Sequence, residues 1–253
     1  MAGLSRLSRG GALVAPLAFL AAWQFLPGVL GVDRMILPTP SEIVGQLVAT
    51  REIAWEHTLH TLAETVTGFT ASAIVALAVA VLMDQVGWLK RGLYPMLVAS
   101  QTIPIIAIAP LMIIWFGFGL LPKVLVVVLV TFFPIVVAVL DGFASTDPDA
   151  ERLLRTMGAS RRQVFLRARV PSALPGMFTG MRISVSYAVT AAVVAEYVGA
   201  ERGLGIWMQQ SKAAFQTDLV FAAMLVAALI STTLFLLTNA IARLAIPWHY
   251  ARR

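Results

Sequence analysis

Residues 122–140 read PKVLVVVLVTFFPIVVAVL, and Lys123 carries the only charge in this run. A helix of about twenty apolar residues matches the thickness of the hydrocarbon core of a bilayer, so the run predicts a membrane span. Further runs of this kind lie at 11–30, 61–83, 95–116, 174–198 and 219–242. The sequence therefore predicts an all-α integral membrane protein of about six transmembrane helices.

The composition excludes several other classes of protein. Of the 253 residues, 59% are hydrophobic and 13% are charged, and an ordinary soluble domain carries about twice that charged fraction. The net charge of +6 comes from basic residues scattered between the apolar runs, so no nucleic-acid surface is expected. The absence of cysteine excludes disulfides, thiolate metal sites and cysteine nucleophiles.

The distribution of lysine and arginine predicts the orientation in the membrane, provided that successive loops alternate sides. The segment 142–172 alone holds six arginines, and its side also holds Arg6, Arg9, Lys90, Arg91, Arg252 and Arg253. The basic residues of the opposite side are Arg34, Arg51, Lys123, Arg202 and Lys212. We therefore expect both termini to face the cytoplasm. No small-residue cleavage site follows the first run, which predicts an uncleaved span and not a signal peptide.

The chain is expected to have two parts. Residues 1–60 hold the first span and an extracytoplasmic segment in which Leu37-Pro38-Thr39-Pro40 is extended or turned, because each proline disfavours helix at the residue before it. Ser41 is expected to cap a short amphipathic helix that lies along the membrane interface. Residues 61–253 form the remaining core and include a polar segment at 145–172.

This polar segment predicts two short helices that meet at a glycine. Asp147 and Pro148 suit the start of a helix, and Gly158 suits its end. A second helix is expected from near Ser160 to the residue before Pro171. From the residues alone, a solvated loop that obeys the positive-inside rule explains the segment equally well.

The spacing of the segment resembles the cytoplasmic signature of permeases of bacterial ATP-binding-cassette (ABC) importers. That consensus is EAA, three residues, Gly, nine residues and I-x-L-P, and the matching places here are held by Gly158, Ala168, Val170 and Pro171. In place of the Glu-Ala-Ala triplet the chain has Arg152-Leu153-Leu154, with Glu151 one position early. Further matching stretches are Leu37-Pro38-Thr39-Pro40, Ile103-Pro104, Pro110-Leu111, Trp115-Phe116-Gly117-Phe118-Gly119, Phe132-Phe133-Pro134, Glu196 and Gly203-Leu204-Gly205.

The resemblance implies a type I ABC importer permease fold, whose coupling helix sits in a groove of the ATPase subunit. The residues that it assigns to ATPase coupling are Asp149, Glu151, Arg152, Leu153, Leu154, Met157, Gly158, Ala159, Ser160 and Pro171. The chain looks like the branch that serves nitrate, sulfonates, taurine and the pyrimidine precursors of thiamine or related riboflavin import. The pyrimidine-precursor group looks closest, through the stretches Arg152 to Ala159, Phe221-Ala222-Ala223 and Pro247-Trp248-His249.

No glycine-rich phosphate loop with a following lysine is present, so ATP and Mg²⁺ are expected in a separate ATPase and this chain is not expected to be an enzyme. A single six-span unit implies a homodimer around the pathway. The expected partners are a second copy, two ABC ATPase subunits, an extracytoplasmic binding protein and membrane lipid. The expected location is the bacterial cytoplasmic membrane, and no cofactor is expected in this chain.

Ionisable groups within spans are candidates for the transport pathway, because placing them in lipid is costly. At about one hundred degrees per residue, one broad side of the fifth span holds Thr179, Arg182, Ser186, Thr190, Glu196 and Tyr197. The alternative is that Arg182 reaches the cytoplasmic interface and Glu196 sits at the outer one.

The third span offers a second pathway face, with Gln101, Thr102, Met112 and Trp115 as candidates and with Pro104 and Pro110 able to kink the helix. Plain packing between helices is the alternative.

His57, His60 and Glu64 have a spacing that could hold a metal, but interfacial side chains explain them better and no metal is expected.

Two other classes of function remain as alternatives. A stand-alone secondary transporter or channel predicts carboxylates at the midplane and internal repeats, and neither is found in the sequence. A membrane enzyme needs a nucleophile, base or metal set at one depth, and the sequence offers none.

Overall fold

The computed structural model describes residues 4–250, with side chains from Val14 onward, and every regular element in this part of the chain is a helix. The helices are α1 (Leu4–Leu30), α2 (Pro40–Ala49), α3 (Arg51–Gln85), α4 (Gly87–Ser100), α5 (Ile105–Phe116), α6 (Leu120–Ala144), α7 (Pro148–Thr156), α8 (Arg161–Val164), a π turn (Phe165–Arg169), α9 (Val170–Gly199), α10 (Leu204–Ala213), α11 (Thr217–Ala245) and α12 (Pro247–Tyr250). The predicted all-α class is confirmed. Arg252 and Arg253 lie outside the described residues, and Arg6 and Arg9 are described by backbone alone.

Four helical stretches of the described residues are long and apolar enough to cross a membrane, namely α3, α6, Arg161–Gly199 and α11. The pair α4 and α5 makes a fifth span if it is counted as one. The described apolar part of α1, Val14–Leu30, is shorter than the others. Length and composition therefore support four or five spans where the sequence predicted about six.

The predicted third span is not one helix, because the chain bends by 102° between α4 and α5. Pro104 has no N–H to donate and disfavours helix at Ile103, so the chain leaves the helix after Ser100 and starts again at Ile105. The prediction that Gln101 shares a helical face with Met112 and Trp115 was therefore wrong.

The centre of the bundle is the contact between α6 and α9, where small residues bring the two backbones together. A Cβ placed on Gly142 would lie 2.7 Å from Ala173 Cα, and one on Gly180 would lie 2.9 Å from the carbonyl oxygen of Pro134. Helix α3 reaches the same centre through Gly68, which packs on the side chain of Val127. These contacts fix which face of α9 points inward.

Polar contacts join α1 to the segment that begins α2. The indole N–H of Trp23 donates to the carbonyl of Pro38 over 3.1 Å, and the side chain of Gln24 both donates to Ser41 Oγ (2.8 Å) and accepts its N–H (3.1 Å). The cap of α2 is Thr39, so the prediction that Ser41 caps this helix was wrong by two positions. Pro40 occupies the first helical position, where its fixed φ and missing N–H cost nothing.

Candidate functional site

The polar segment after α6 forms the predicted helix pair. Asp147 caps α7 by accepting the N–H of Asp149 over 2.9 Å, and Pro148 is its first residue. Gly158 follows the helix with φ of +84°, a conformation that costs other residues energy. Ser160 then caps α8 through Gln163, whose side chain accepts the N–H of Ser160 over 2.8 Å. The predicted start of the first helix, its end at Gly158 and the start of the second helix near Ser160 are all confirmed.

The second helix does not end before Pro171, contrary to the prediction. It continues through the π turn into α9, so that one stretch of helix runs from Arg161 to Gly199. Pro171 cannot donate a backbone hydrogen bond, and a wide turn directly before it absorbs the irregularity without ending the helix. The polar segment is thereby continuous with a membrane span.

Helix α7 presents apolar side chains outward at this end of the bundle. Leu153 is 62% exposed and Met157 is 75% exposed. Glu151 faces the bundle, where it lies 3.3 Å from Arg155 Nη2 and 3.5 Å from Arg169 Nε. Of the other predicted coupling residues, Asp149 and Arg152 form an exposed ion pair of 3.3 Å and Ser160 is exposed in the turn between the helices. The remaining three are half-buried: Leu154 on α7, Ala159 in the turn, and Pro171 at the start of α9.

At the opposite end of the bundle, Glu196 is fully buried. Its carboxylate accepts the hydroxyl of Thr61 over 2.6 Å and the N–H of Gly205 over 2.5 Å. The hydroxyl of Thr61 also accepts the N–H of Leu204 over 2.8 Å, and the N–H of Gly203 donates to His57 Nδ1 over 2.9 Å. Three successive N–H groups at the start of α10 are thus satisfied by side chains from α3 and α9.

Two glycines make room for this arrangement. A Cβ on Gly203 or on Gly205 would overlap the side chain of Glu196, and Gly203 also has φ of +128°. The predicted Gly-Leu-Gly motif and the predicted Glu196 are therefore parts of one contact, in which the carboxylate lies against the backbone that begins α10.

A buried ion pair lies beside this contact. Lys123 Nζ is 2.7 Å from Glu64 Oε1, and both side chains are buried. His57 is occupied by Gly203 and stacks on Trp207 with ring centroids 5.7 Å apart. Within the part of the chain that the structure describes, no group of three or more His, Cys, Asp or Glu side chains is placed to hold a metal.

The fifth predicted span does present a polar face at its surface, formed by Thr179, Arg182, Ser186, Tyr187, Thr190 and Tyr197. Arg182 is held there by three contacts, to the carbonyl of Phe178 (3.2 Å), Asn239 Oδ1 (3.3 Å) and Thr179 Oγ1 (3.2 Å). Glu196 does not share this face, because its side chain points into the protein.

The candidates of the third predicted span do not lie together. On α5, Met112 is buried and Trp115 is exposed, while Gln101 and Thr102 lie exposed in the bend.

The family described as "binding-protein-dependent transport system inner membrane component" matches residues 68–248. The chain belongs to this family of permeases. It is a multi-pass protein of the inner membrane, and the matched residues include the helix pair and Glu196 with the start of α10, whereas Thr61 and His57 lie just before them.

Among curated relatives of this permease are two proteins of similar length. The formylaminopyrimidine transport permease protein ThiX of Halalkalibacterium halodurans is 38% identical over 92% of this chain and 93% of the relative. The riboflavin transport system permease protein RibX of Chloroflexus aurantiacus is 37% identical over 93% of this chain and 88% of the relative. Both names agree with the branch that the sequence indicated.

A solved structure of the methionine ABC transporter MetNI in inward-facing conformations has the fold of this permease. It superposes with a TM-score of 0.69 over 77% of this chain and 97% of the solved chain, at 19% identity. The predicted importer-permease fold is therefore confirmed.

Sequence reasoning missed several residues that the permease uses at the two ends of the bundle. Thr61 and Lys123 had no assigned role, although a lysine at the edge of an otherwise apolar run signals a need for a carboxylate partner. Asp84 and Arg169 form an ion pair of 2.6 Å across 85 residues of sequence, which no local pattern indicates.

Proposed function

We propose that this permease is the membrane subunit of an ATP-driven importer, working as a homodimer with two ABC ATPase subunits and an extracytoplasmic binding protein. The observation that carries the proposal is the exposed apolar surface of α7, formed by Leu153 and Met157 on a helix capped at its start and followed by Gly158. A short rigid helix with such a face suits a groove on a partner protein. ATP and Mg²⁺ are bound by that partner.

The helix pair transmits the motion of the partner to the spans. The stretch Arg161–Gly199 is one helix that starts beside α7 and ends three residues after Glu196. A displacement of α7 therefore moves this helix as a rigid element. In this arrangement α7 faces the cytoplasm, both termini lie on that side, and the Glu196 contact lies at the extracytoplasmic end, in agreement with the positive-inside rule.

The two copies meet around the polar face of α9. Arg182 and its neighbours on that face line the pathway, because a charged side chain held within a span favours a watery or protein environment over lipid. The exposed apolar side chains of α5, Ile106, Ile114 and Trp115, supply surface for contact with the second copy or with lipid. Residues 61–253 form the moving core, and residues 1–60 are attached to it where Thr217 Oγ1 donates to the carbonyl of Met35 and where the ring of Trp23 lies against that of Phe221.

The proposed cargo is a pyrimidine precursor of thiamine or a riboflavin-like compound. Support comes from the identities with the two relatives named for these solutes, which extend over nearly the whole of each chain. The binding protein selects the cargo, and the permease provides a pathway of matching width and polarity.

A cargo with a sulfonate, as in the taurine and sulfonate branch, is the second candidate. Arg182 favours it, because three of the five guanidinium N–H groups have partners and each terminal nitrogen keeps one N–H without a partner among the described residues. Two remaining donors on one guanidinium suit an oxyanion.

The experiment is transport into vesicles that contain the permease with its ATPase, with binding protein and labelled formylaminopyrimidine, riboflavin or taurine outside. We expect uptake of one of these solutes only when ATP and the ATPase are present on the α7 side. Uptake by the permease alone would contradict the proposal and would favour a secondary transporter or channel.

A further inference from the structure

Arg169 joins three helices at the end of the bundle that carries α7. Its Nη2 lies 2.6 Å from Asp84 Oδ1 on α3, and its Nε lies 3.5 Å from Glu151 Oε1 on α7. The guanidinium carbon also lies 5.8 Å from the ring centroid of Phe143 on α6. One side chain therefore connects α7 to two of the spans.

Asp84 depends on this contact. Its side chain is only 7% exposed, and it is the residue before the last of α3, where the negative end of the helix dipole disfavours a carboxylate. Its Oδ1 is paired with Arg169, and its Oδ2 has no hydrogen-bond partner among the described residues. Without the guanidinium, a buried carboxylate at a helix C-terminus would lose the one ion-pair partner that it has among the described residues.

The π turn places Arg169 at this junction. The N–H of Val170 donates to the carbonyl of Phe165, one residue further back than in an α-helix. One extra residue in a turn rotates the following helix by about 100° relative to the preceding one. The direction of α8 is set by its Ser160 cap, and the inward face of α9 is set by the close packing of Gly180 on α6, so the extra residue reconciles the two.

We propose that Arg169 is the positioning residue that locks α7 to α3, so that force applied to α7 reaches the spans without being lost in rotation at the junction. The proposal rests on the function proposed above, in which α7 docks on the ATPase. Glu151 holds the α7 side of the lock and Asp84 the span side, and a planar guanidinium can contact two carboxylates at once where an ammonium is a single point charge.

The first test measures geometry and needs no ATPase. The chain contains no cysteine, so Thr156→Cys on α7 and Leu82→Cys on α3, both exposed, can be spin-labelled without background. Labelled permease is diluted with unlabelled permease so that the measured distances lie within one chain. We expect a narrow distance distribution that broadens in Arg169→Lys and in Asp84→Asn.

Arg167→Gln is the matched control, because Arg167 lies in the same π turn, is exposed and makes no ion pair with the described residues. Its distribution should stay narrow. If Arg169→Lys and Asp84→Asn also leave the distribution narrow, the lock does not exist, whatever the function of the permease. If a single variant does not fold, Glu151→Gln provides the test, because it removes the α7 side of the lock and leaves the Asp84–Arg169 ion pair intact. We expect it to broaden the distribution, and a distribution that stays narrow would overturn the proposal.

The second test measures coupling in vesicles that contain the ATPase. A charge-assisted contact of this kind shifts a two-state equilibrium by about ten-fold, so we expect Arg169→Lys to transport about ten-fold less cargo per ATP hydrolysed while ATP hydrolysis continues. A loss of folding alone would lower transport and hydrolysis together. An unchanged ratio in Arg169→Lys, with a broadened distance distribution, would show that the junction does not transmit force and would overturn the proposal.

Discussion

The hydroxyl of Thr61 donates to the carboxylate of Glu196 over 2.6 Å, across 135 residues of sequence. This contact ties α3 to the Arg161–Gly199 helix at one end of the bundle, and the Asp84–Arg169 ion pair ties the same two elements at the other. About 35 Å of helix separates Thr61 from Asp84. Because both ends are joined, we expect α3 and the Arg161–Gly199 helix to move as one body, which is what a lever across the membrane requires.

Replacing Gly205 by alanine should destabilise the Glu196 end. The new methyl would overlap the carbonyl oxygen of Val193 and the side chain of Glu196, so we expect a loss of about 1–3 kcal/mol of stability from overpacking. The measurement is the thermal midpoint in detergent. Gly45→Ala is the control, because a Cβ there meets no atom within 4 Å and the residue lies inside α2. Equal midpoints for the two variants would contradict the packing argument.

Replacing Glu64 by glutamine should be more damaging than removing both members of its ion pair. The single change leaves the buried ammonium of Lys123 without its carboxylate, which costs about 3–5 kcal/mol. The double variant Glu64→Gln with Lys123→Met removes the unpaired charge and should regain most of that stability. We would compare the unfolding midpoints of the two variants, and a double variant less stable than the single one would refute this account.

The sequence predicted the spans and the helix pair because these depend on local signals. The cap at Asp147, the left-handed Gly158 and the restart at Ser160 are each decided by a few neighbouring residues. Glu196 was singled out correctly as unusual, but its environment was not predicted. Periodicity placed it on the polar face of the fifth span, whereas the capping of α10 draws its side chain inward.

The features that sequence reasoning missed are those decided by contacts between distant residues. The π turn shifts the register between α8 and α9, and a residue pattern read at a constant angle cannot show such a shift. The prolines signalled a kink in the third span, but not that the chain would turn through 102°. The pairing of Asp84 with Arg169 required the packed bundle.

Glu42 should make the stability of the N-terminal part depend on pH. Hydrogen bonds from the backbone N–H and then the hydroxyl of Thr39 lower the pKa of Glu42 below its ordinary value of 4.5, with a smaller contribution from Arg34. A lowered pKa stabilises the fold at pH values above the ordinary pKa. This stability is lost as the pH falls through the lowered pKa of the folded state. The difference in thermal midpoint between the native chain and Glu42→Gln should therefore be present near pH 7 and shrink below pH 4.5. A difference that grows on acidification would contradict the assignment.

Arg182→Ala should alter transport without preventing ATPase docking, because Arg182 lies on the surface of a span and far from α7. We expect a change in uptake rate or in cargo preference, with binding of the ATPase to the permease unchanged in a pull-down. The control is Arg243→Ala, which removes the same charge from the neighbouring α11, where the guanidinium lies over the ring of Tyr250. Loss of ATPase binding in Arg182→Ala would show that the residue has a structural role at the α7 end.

Gly158→Val should abolish cargo-stimulated ATP hydrolysis while leaving membrane insertion intact. Gly158 has open space around it, so the effect cannot come from a clash. It comes from the backbone, because φ of +84° is strained for a β-branched residue and costs about 1–2 kcal/mol or more. The turn between α7 and α8 would relax, and the exposed face of α7 would leave the direction that its partner requires.

Reversing the charge in Glu151→Arg should have the same outcome by another route, since it removes the contact of α7 to Arg169 and the ion pair with Arg155 within α7. Gly92→Val is the matched control for Gly158→Val. Gly92, like Gly158, has open space around it, but it lies in α4 with ordinary helical backbone. The readouts are the amount of permease in the membrane fraction and the ratio of ATP hydrolysis with and without cargo-loaded binding protein. A normal ratio in Gly158→Val would mean that α7 is not the coupling element, since a helix whose direction can change freely cannot transmit force.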